Sequence, residues 1–211
     1  MKQLIDDLNW RYATKKYDSS KKISQTDFET LKHVLSLVPT SNGLQPYQFL
    51  IIENPEIRAQ LREKSYNQSQ VTDASHLIVM CAFNSIDEAY VDNYMDRSVE
   101  VRGLNPTDVE GYRMHLKNSV AKADSELQLR SNAKQVYIAL GQLLQTAAQL
   151  RIDASPMEGF SPEGYDEVLG LKAKNLTAVV VCALGYRSEE DDFQHLKKVR
   201  KPHSDLFQVI D

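Results

Sequence analysis

Glycine is scarce in this chain and cysteine scarcer, and both shortages exclude chemistry. Eight glycines occur among 211 residues, and no two are separated by a single residue. The dinucleotide fingerprint G-x-G-x-x-G is therefore impossible, and neither G-x-x-x-x-G-K-[ST] nor G-x-S-x-G is present. The two cysteines, Cys81 and Cys182, each sit inside an apolar run, LIVMCAF and AVVVCAL. With no C-x-x-C there is no thiolate pair for zinc or for redox exchange, so both read as small buried hydrophobes, and nothing calls for a disulfide. The five histidines are scattered and H-E-x-x-H is missing, so no metal site is expected. No run approaches the ~20 apolar residues of a membrane span. An excess of positive charge is lacking too. Lys and Arg total 25 against 29 Asp and Glu, a net charge of -4, which argues against nucleic acid as a partner. The opening MKQLIDDLNWRYATKKYD has no apolar core or cleavage site of a signal peptide, and the expected compartment is the reducing cytoplasm.

What is present is an ordinary globular composition, 42% apolar and 26% charged, long enough for one domain over residues 1–211 with a sizeable core. An enzyme without any of the motifs above delegates its chemistry to a bound cofactor. Hydrophobic periodicity predicts helices over 2–13, 25–38 and from Pro55 to about Lys64. It predicts a long central helix from Asp124 or Ser125 to about Leu150, and another from about Pro162 to Leu169. Strands are expected at Gln48–Ile52, Leu77–Phe83, Ile152–Ser155 and Thr177–Leu184, the second and fourth being continuous apolar runs suited to burial on both faces. Residues 86–123 read as helical in pieces. The fold class is α+β. The polar C-terminal extension ends in Leu206-Phe207-Gln208-Val209-Ile210, which reads as an apolar strand either crossing to a partner subunit or folding back on its own chain.

Three segments carry candidate chemistry. Arg11-Tyr12-Ala13-Thr14-Lys15 and Lys197-Lys198-Val199-Arg200-Lys201 are separated basic clusters able to converge on one phosphate monoester. Pro156-Met157-Glu158-Gly159-Phe160 follows a short strand, and Gly159 permits a close backbone approach to a ligand. Taken singly, each reads as a solvated face or a loop.

Taken in order, the chain resembles the FMN-dependent nitroreductase family, in particular its oxygen-insensitive NAD(P)H nitroreductases and dihydropteridine reductase-like members. The resemblance runs through Arg11–Lys15, Pro39-Thr40-Ser41-Asn42-Gly43-Leu44-Gln45-Pro46-Tyr47-Gln48-Phe49, Asn67 with Asp73-Ala74-Ser75-His76, Lys134–Gly141, Pro156–Phe160 and Lys198-Val199-Arg200. It implies a nitroreductase-like fold with a central mixed sheet flanked by helices, and a homodimer in which each C-terminal extension wraps the partner. It also implies a site for FMN, with NAD(P)H as electron donor and a small flat acceptor. On this resemblance Arg11, Lys198 and Arg200 hold the FMN phosphate, and Lys15 lies by the N1/O2 edge of the ring. The amides of Glu158 and Gly159 face N5, and Asn67 bonds the pyrimidine edge. Thr40, Ser41 and Asn42 come from the other subunit, and Tyr12, Ala13, Gln70, Gln135, Pro156 and Met157 complete the cofactor set. Two positions depart from the family pattern: Ala13 replaces a common serine, and Gln70 stands where relatives often carry lysine. The second implies a lower flavin reduction potential. The implied reaction is ping-pong hydride transfer from NAD(P)H to a nitroaromatic or quinone, with no side chain required as acid or base. Family members that dehalogenate, fragment flavin or dehydrogenate are the alternative, and a non-enzymatic helical interaction module is a second.

Overall fold

The computed structural model describes residues 2–210. Four strands form one sheet in the order β1-β2-β4-β3: β1 (Tyr47–Ile51), β2 (His76–Phe83), β3 (Asp153–Met157) and β4 (Leu176–Gly185). Every neighbouring pair is antiparallel. The expected mixed sheet is thus corrected for these strands. The parallel component is an isolated bridge between Ala13 and Ala154, made by the segment that follows the first helix.

The two central strands explain the apolar runs. Along β2, Ile78, Met80 and Ala82 face one core, while Leu77, Val79 and Cys81 face the other, the period of two expected of a strand buried on both sides. The first core lies under α2 (Gln25–Ser36) and α7 (Ser125–Gln149), which supply Leu31, Leu35, Val136, Leu140 and Leu143. The second lies under α3 (Pro55–Glu63) and α8 (Pro162–Leu169), with Leu61 and Tyr165. The cysteines are free and lie in different cores, Cys182 in the first and Cys81 in the second, so the sheet itself separates them. Burial pushes both thiols up to about 12.

Helix starts follow capping chemistry. The side chains of Ser24, Asn54, Asp124 and Ser161 each accept from a backbone N–H of the first turn of α2, α3, α7 and α8. The polar stretch 86–123 resolves into α5 (Glu88–Arg102) and α6 (Pro106–Lys122), broken where Gly103 turns left-handed at φ 61. These two helices share a small core of Val91, Met95 and Leu116.

Two sequence expectations change. The first helix, α1 (Lys2–Trp10), stops short of residue 13, because Ala13 bridges to Ala154 and cannot continue the helix. Among the described residues, the C-terminal extension forms no strand. After the four-residue helix α9 (His203–Leu206) it runs extended through Phe207, and Val209 and Ile210 stand 82% and 80% exposed. Phe207 is likewise 70% exposed, so the described apolar residues of this end are left uncovered. α4 (Gln70–Asp73) leads into β2.

Candidate active site

The segment after α1 is fixed by two buried carboxylates. Asp191 accepts from the Tyr12 hydroxyl at 2.9 Å, from the backbone N–H of Lys15 at 2.7 Å and of Lys16 at 3.0 Å, and from that of Phe193 at 3.1 Å. Burial pushes its carboxyl up, but these donors outweigh burial and hold it below the usual carboxylate value. Asp153, at the start of β3, accepts from the Arg187 backbone N–H and from Arg187 Nε, both at 2.8 Å, and from Thr14 Oγ1 at 3.3 Å. Arg187 Nη2 adds a 2.6 Å ion contact without good hydrogen-bond geometry. The Arg187 guanidinium also lies 4.2 Å from the Trp10 ring and 4.5 Å from the Tyr12 ring. The consequence is positional: Arg11, Tyr12, Ala13 and Lys15 are held against β3.

The two basic clusters do converge. Lys198 Nζ donates to the carbonyls of Leu8 at 2.8 Å, Asn9 at 2.9 Å and Arg11. These are unpaired carbonyls at the end of α1, so the ammonium caps the negative end of that helix and brings the tail to Arg11. Burial lowers the Arg11 guanidinium from its ordinary value and Arg200 lowers it further. Lys198 is lowered by burial, then by Arg11, Arg200 and Arg187. Arg11 Nε is buried without a partner, and Arg200 donates through Nη1 to its neighbour's carbonyl, that of Val199, at 2.7 Å. Cations that repel one another around an orphaned donor form a site shaped for an anion. Lys15 extends its ammonium over the Phe193 ring, 6.0 Å from the centroid.

The exit of β3 carries the next group of candidate residues. Met157 is buried and Pro156 half-buried, while Glu158 and Gly159 are exposed. Glu158 Oε1 accepts from the Tyr137 hydroxyl at 2.6 Å, and the Tyr137 phenol is pushed up to about 12 by burial and by this carboxylate. Gly159 O accepts from Gln68 Nε2 at 2.7 Å. Tyr66 and Asn67 are both left-handed, at φ 53 and 58, a strained pair beside Gly159. Asn67 is exposed, whereas Gln70 is buried in the first turn of α4. Phe160 packs on Tyr165 in the core, 4.6 Å between centroids.

A second group lies around the loop after α2. Ser41 N donates to Gln135 Oε1 at 2.8 Å, and Gln45 N donates to Thr40 Oγ1 at 3.0 Å. Gln135 therefore joins Thr40, Ser41 and Asn42 rather than the first group, while Tyr137, two residues on, joins Glu158. A cavity of about 430 Å³ between this loop, the end of α6 and the start of α7 is lined by Ser41, Asn42, Ser131 and Gln135 among others. Sequence reasoning missed Asp191, Asp153, Arg187, Gln68 and Tyr137. Asp191 looks like part of a solvated acidic run, E-E-D-D, and only the fold reveals its four donors.

A model of the nitroreductase family matches residues 8–186. The chain belongs to the nitroreductase family. An oxygen-insensitive NAD(P)H nitroreductase of Enterobacter cloacae is 31% identical over 205 residues, covering 93% of this chain and 94% of that protein. The major NAD(P)H-flavin oxidoreductase of Aliivibrio fischeri is 30% identical over 214 residues, covering 98% of each. In fold, the chain matches a protein of Exiguobacterium sibiricum described as a nitroreductase and solved in complex with FMN. That match has a TM-score of 0.82 at 23% identity and covers 98% and 97% of the two chains.

The residues present fit FMN. The orphaned Arg11 Nε and its flanking cations suit a phosphate monoester, and the exposed Gly159 backbone leaves room for a flat ring.

Proposed function

We propose that this nitroreductase-family protein is an FMN-dependent oxidoreductase that passes a hydride from NAD(P)H to a flat acceptor, a nitroaromatic or a quinone, by a ping-pong sequence. The carrying observation is the anion site at Arg11, whose buried Nε has no partner and which is flanked by Arg200 and by Lys198. FMN, when bound, supplies the two-electron chemistry. The chain's own residues bind and orient. Arg11 and Arg200 hold the phosphate, and Lys198 keeps the tail on the end of α1. Lys15 favours negative charge at the pyrimidine edge, where Asn67 adds a hydrogen bond. The exposed backbone of Glu158 and Gly159 would offer amides to the bound ring, and Tyr12, Ala13, Gln70, Pro156 and Met157 would line the cofactor. The Tyr137 hydroxyl holds a proton 2.6 Å from Glu158, so this carboxylate is not simply solvated. That pair is the one feature favouring a family reaction in which a proton travels with the hydride.

The reading includes a cytoplasmic homodimer in which Thr40, Ser41, Asn42 and Gln135 complete the partner's cofactor site. Edge strand β1 and the exposed Phe207, Val209 and Ile210 support it: one offers an open edge, the other an apolar segment without cover. A stable dimer after deletion of residues 203–211 would refute the wrapping tail. Among the described residues no helix is long and apolar enough to cross a membrane. The deciding experiment for the activity is optical. Purified protein supplied with FMN should retain a yellow chromophore that NADH or NADPH bleaches anaerobically and that nitrofurazone or menadione restores. Protein that takes up no FMN refutes the proposal, and bound flavin that neither nucleotide reduces favours a different family reaction.

A further inference from the structure

The loop that carries Thr40, Ser41 and Asn42 is strained, and it is held from outside. Asn42, Gly43 and Gln45 all have positive φ, at 56, 72 and 47. Non-glycine residues in this region persist only where neighbours over-determine them. The neighbours are three tyrosines of the α5–α6 hairpin. The Tyr90 hydroxyl lies 2.9 Å from both the Leu44 and Gln45 carbonyls, which share its single proton. Tyr94 closes over Gly43, where a Cβ would stand 2.6 Å from the phenol oxygen, so a side chain here would be strained at φ 72 and would push the Tyr94 ring aside. The Tyr112 hydroxyl donates to Asn42 Oδ1 at 3.2 Å.

The hairpin is a firm support. Arg113 of α6 reaches Asp92 at 3.0 Å and Asp96 at 2.6 Å on α5, and Lys117 reaches Asp92 at 2.6 Å. The Tyr90 ring packs edge-on against Phe83 at the end of β2, 5.6 Å between centroids, tying the hairpin to the sheet.

We propose that Tyr90 and Tyr112 are positioning residues for the flavin: the α5–α6 hairpin sets the conformation of Thr40-Ser41-Asn42 and through it the fit of the cofactor. The inference rests on the reading that this loop contacts FMN. It gives residues 86–123, the stretch that reads from sequence only as helical in pieces, a role in tuning the cofactor.

The test is FMN titration of the apoprotein by fluorescence quenching, with the absorption and circular dichroism of the bound flavin recorded, for wild type, Tyr90→Phe and Tyr112→Phe. Tyr90→Phe should raise the Kd about five-fold, equivalent to about 1 kcal/mol. It should also shift the flavin dichroism, a signature that a general loss of stability does not produce. Tyr112 is exposed, so Tyr112→Phe should leave the apoprotein melting temperature unchanged while weakening FMN about two-fold or more and shifting the same dichroism band. Wild-type Kd and dichroism in both variants would overturn the inference. Wild-type protein that fails to bind FMN would overturn the underlying reading instead.

Discussion

Replacing Arg187 by methionine removes the guanidinium that joins the end of β4 to the start of β3 and to the segment after α1. The side chains of Arg187 and Asp153 are only 18% and 3% exposed, so the carboxylate left behind has no ready access to water. Removing one partner of such a pair costs about 3–5 kcal/mol, because the other charge stays buried. Asp153 keeps two donors, the residue 187 backbone N–H and the Thr14 hydroxyl, so the lower end, about 3 kcal/mol, is the working figure. For a chain of this length that corresponds to a fall in melting temperature of roughly 6–12 °C. The assay is thermal unfolding of the apoprotein at fixed protein concentration, since subunit association would otherwise shift the midpoint. Adding Asp153→Asn to Arg187→Met removes the stranded charge and should recover a substantial part of the loss. A fall below about 3 °C for Arg187→Met, or no recovery in the double variant, would show that Asp153 is solvated and does not hold this frame.

Three further outcomes follow from the same geometry. Arg11→Ala should weaken FMN by about 10- to 100-fold, the worth of a charge-assisted hydrogen bond, and leave riboflavin affinity unchanged; equal losses for both ligands would place the phosphate elsewhere. Gly159→Ala puts a Cβ 3.1 Å from the flexible Gln68 amide, so the apoprotein should melt within about 2 °C of wild type while FMN binding falls sharply, as read by fluorescence quenching. The Asp191 carboxyl titrates lower folded than unfolded, so its stabilisation is complete above about pH 4 and disappears as pH falls through the folded value. Melting curves from pH 6 to 2.5 should therefore decline less steeply for Asp191→Asn than for wild type, and parallel curves would refute the assignment.

The elements the sequence announces are those with strong local chemistry. Ser24, Asn54-Pro55, Asp124 and Ser161-Pro162 mark helix starts, and LIVMCAF and AVVVCAL mark central strands, because capping and two-sided burial leave local patterns. The hairpin α5–α6 was harder to delimit. Its shared core is small, so its apolar stripe is thin and the rest of its surface is charged. The convergence of Arg11 with Lys198 and Arg200 was readable as two basic clusters, but the capping of α1 by Lys198 was not, since it joins residues 187 positions or more apart. Asp153 and Asp191 are invisible for the same reason: a buried carboxylate looks like a surface one until its donors arrive from distant segments. Among the described residues, the sheet's parallel component reduces to the short bridge at Ala13, since its four named strands pair antiparallel.

The placement of the two cysteines has a chemical consequence. Burial pushes both thiols well above their ordinary value, so neither is appreciably thiolate at neutral pH, and each lies sealed in its own core. Reduction of nitro compounds and quinones generates electrophiles, and flavin reoxidation by oxygen generates peroxide. A protein whose cysteines are both buried on opposite sides of its sheet offers these species no accessible thiol, and should keep its activity under turnover that would alkylate or oxidise an exposed cysteine.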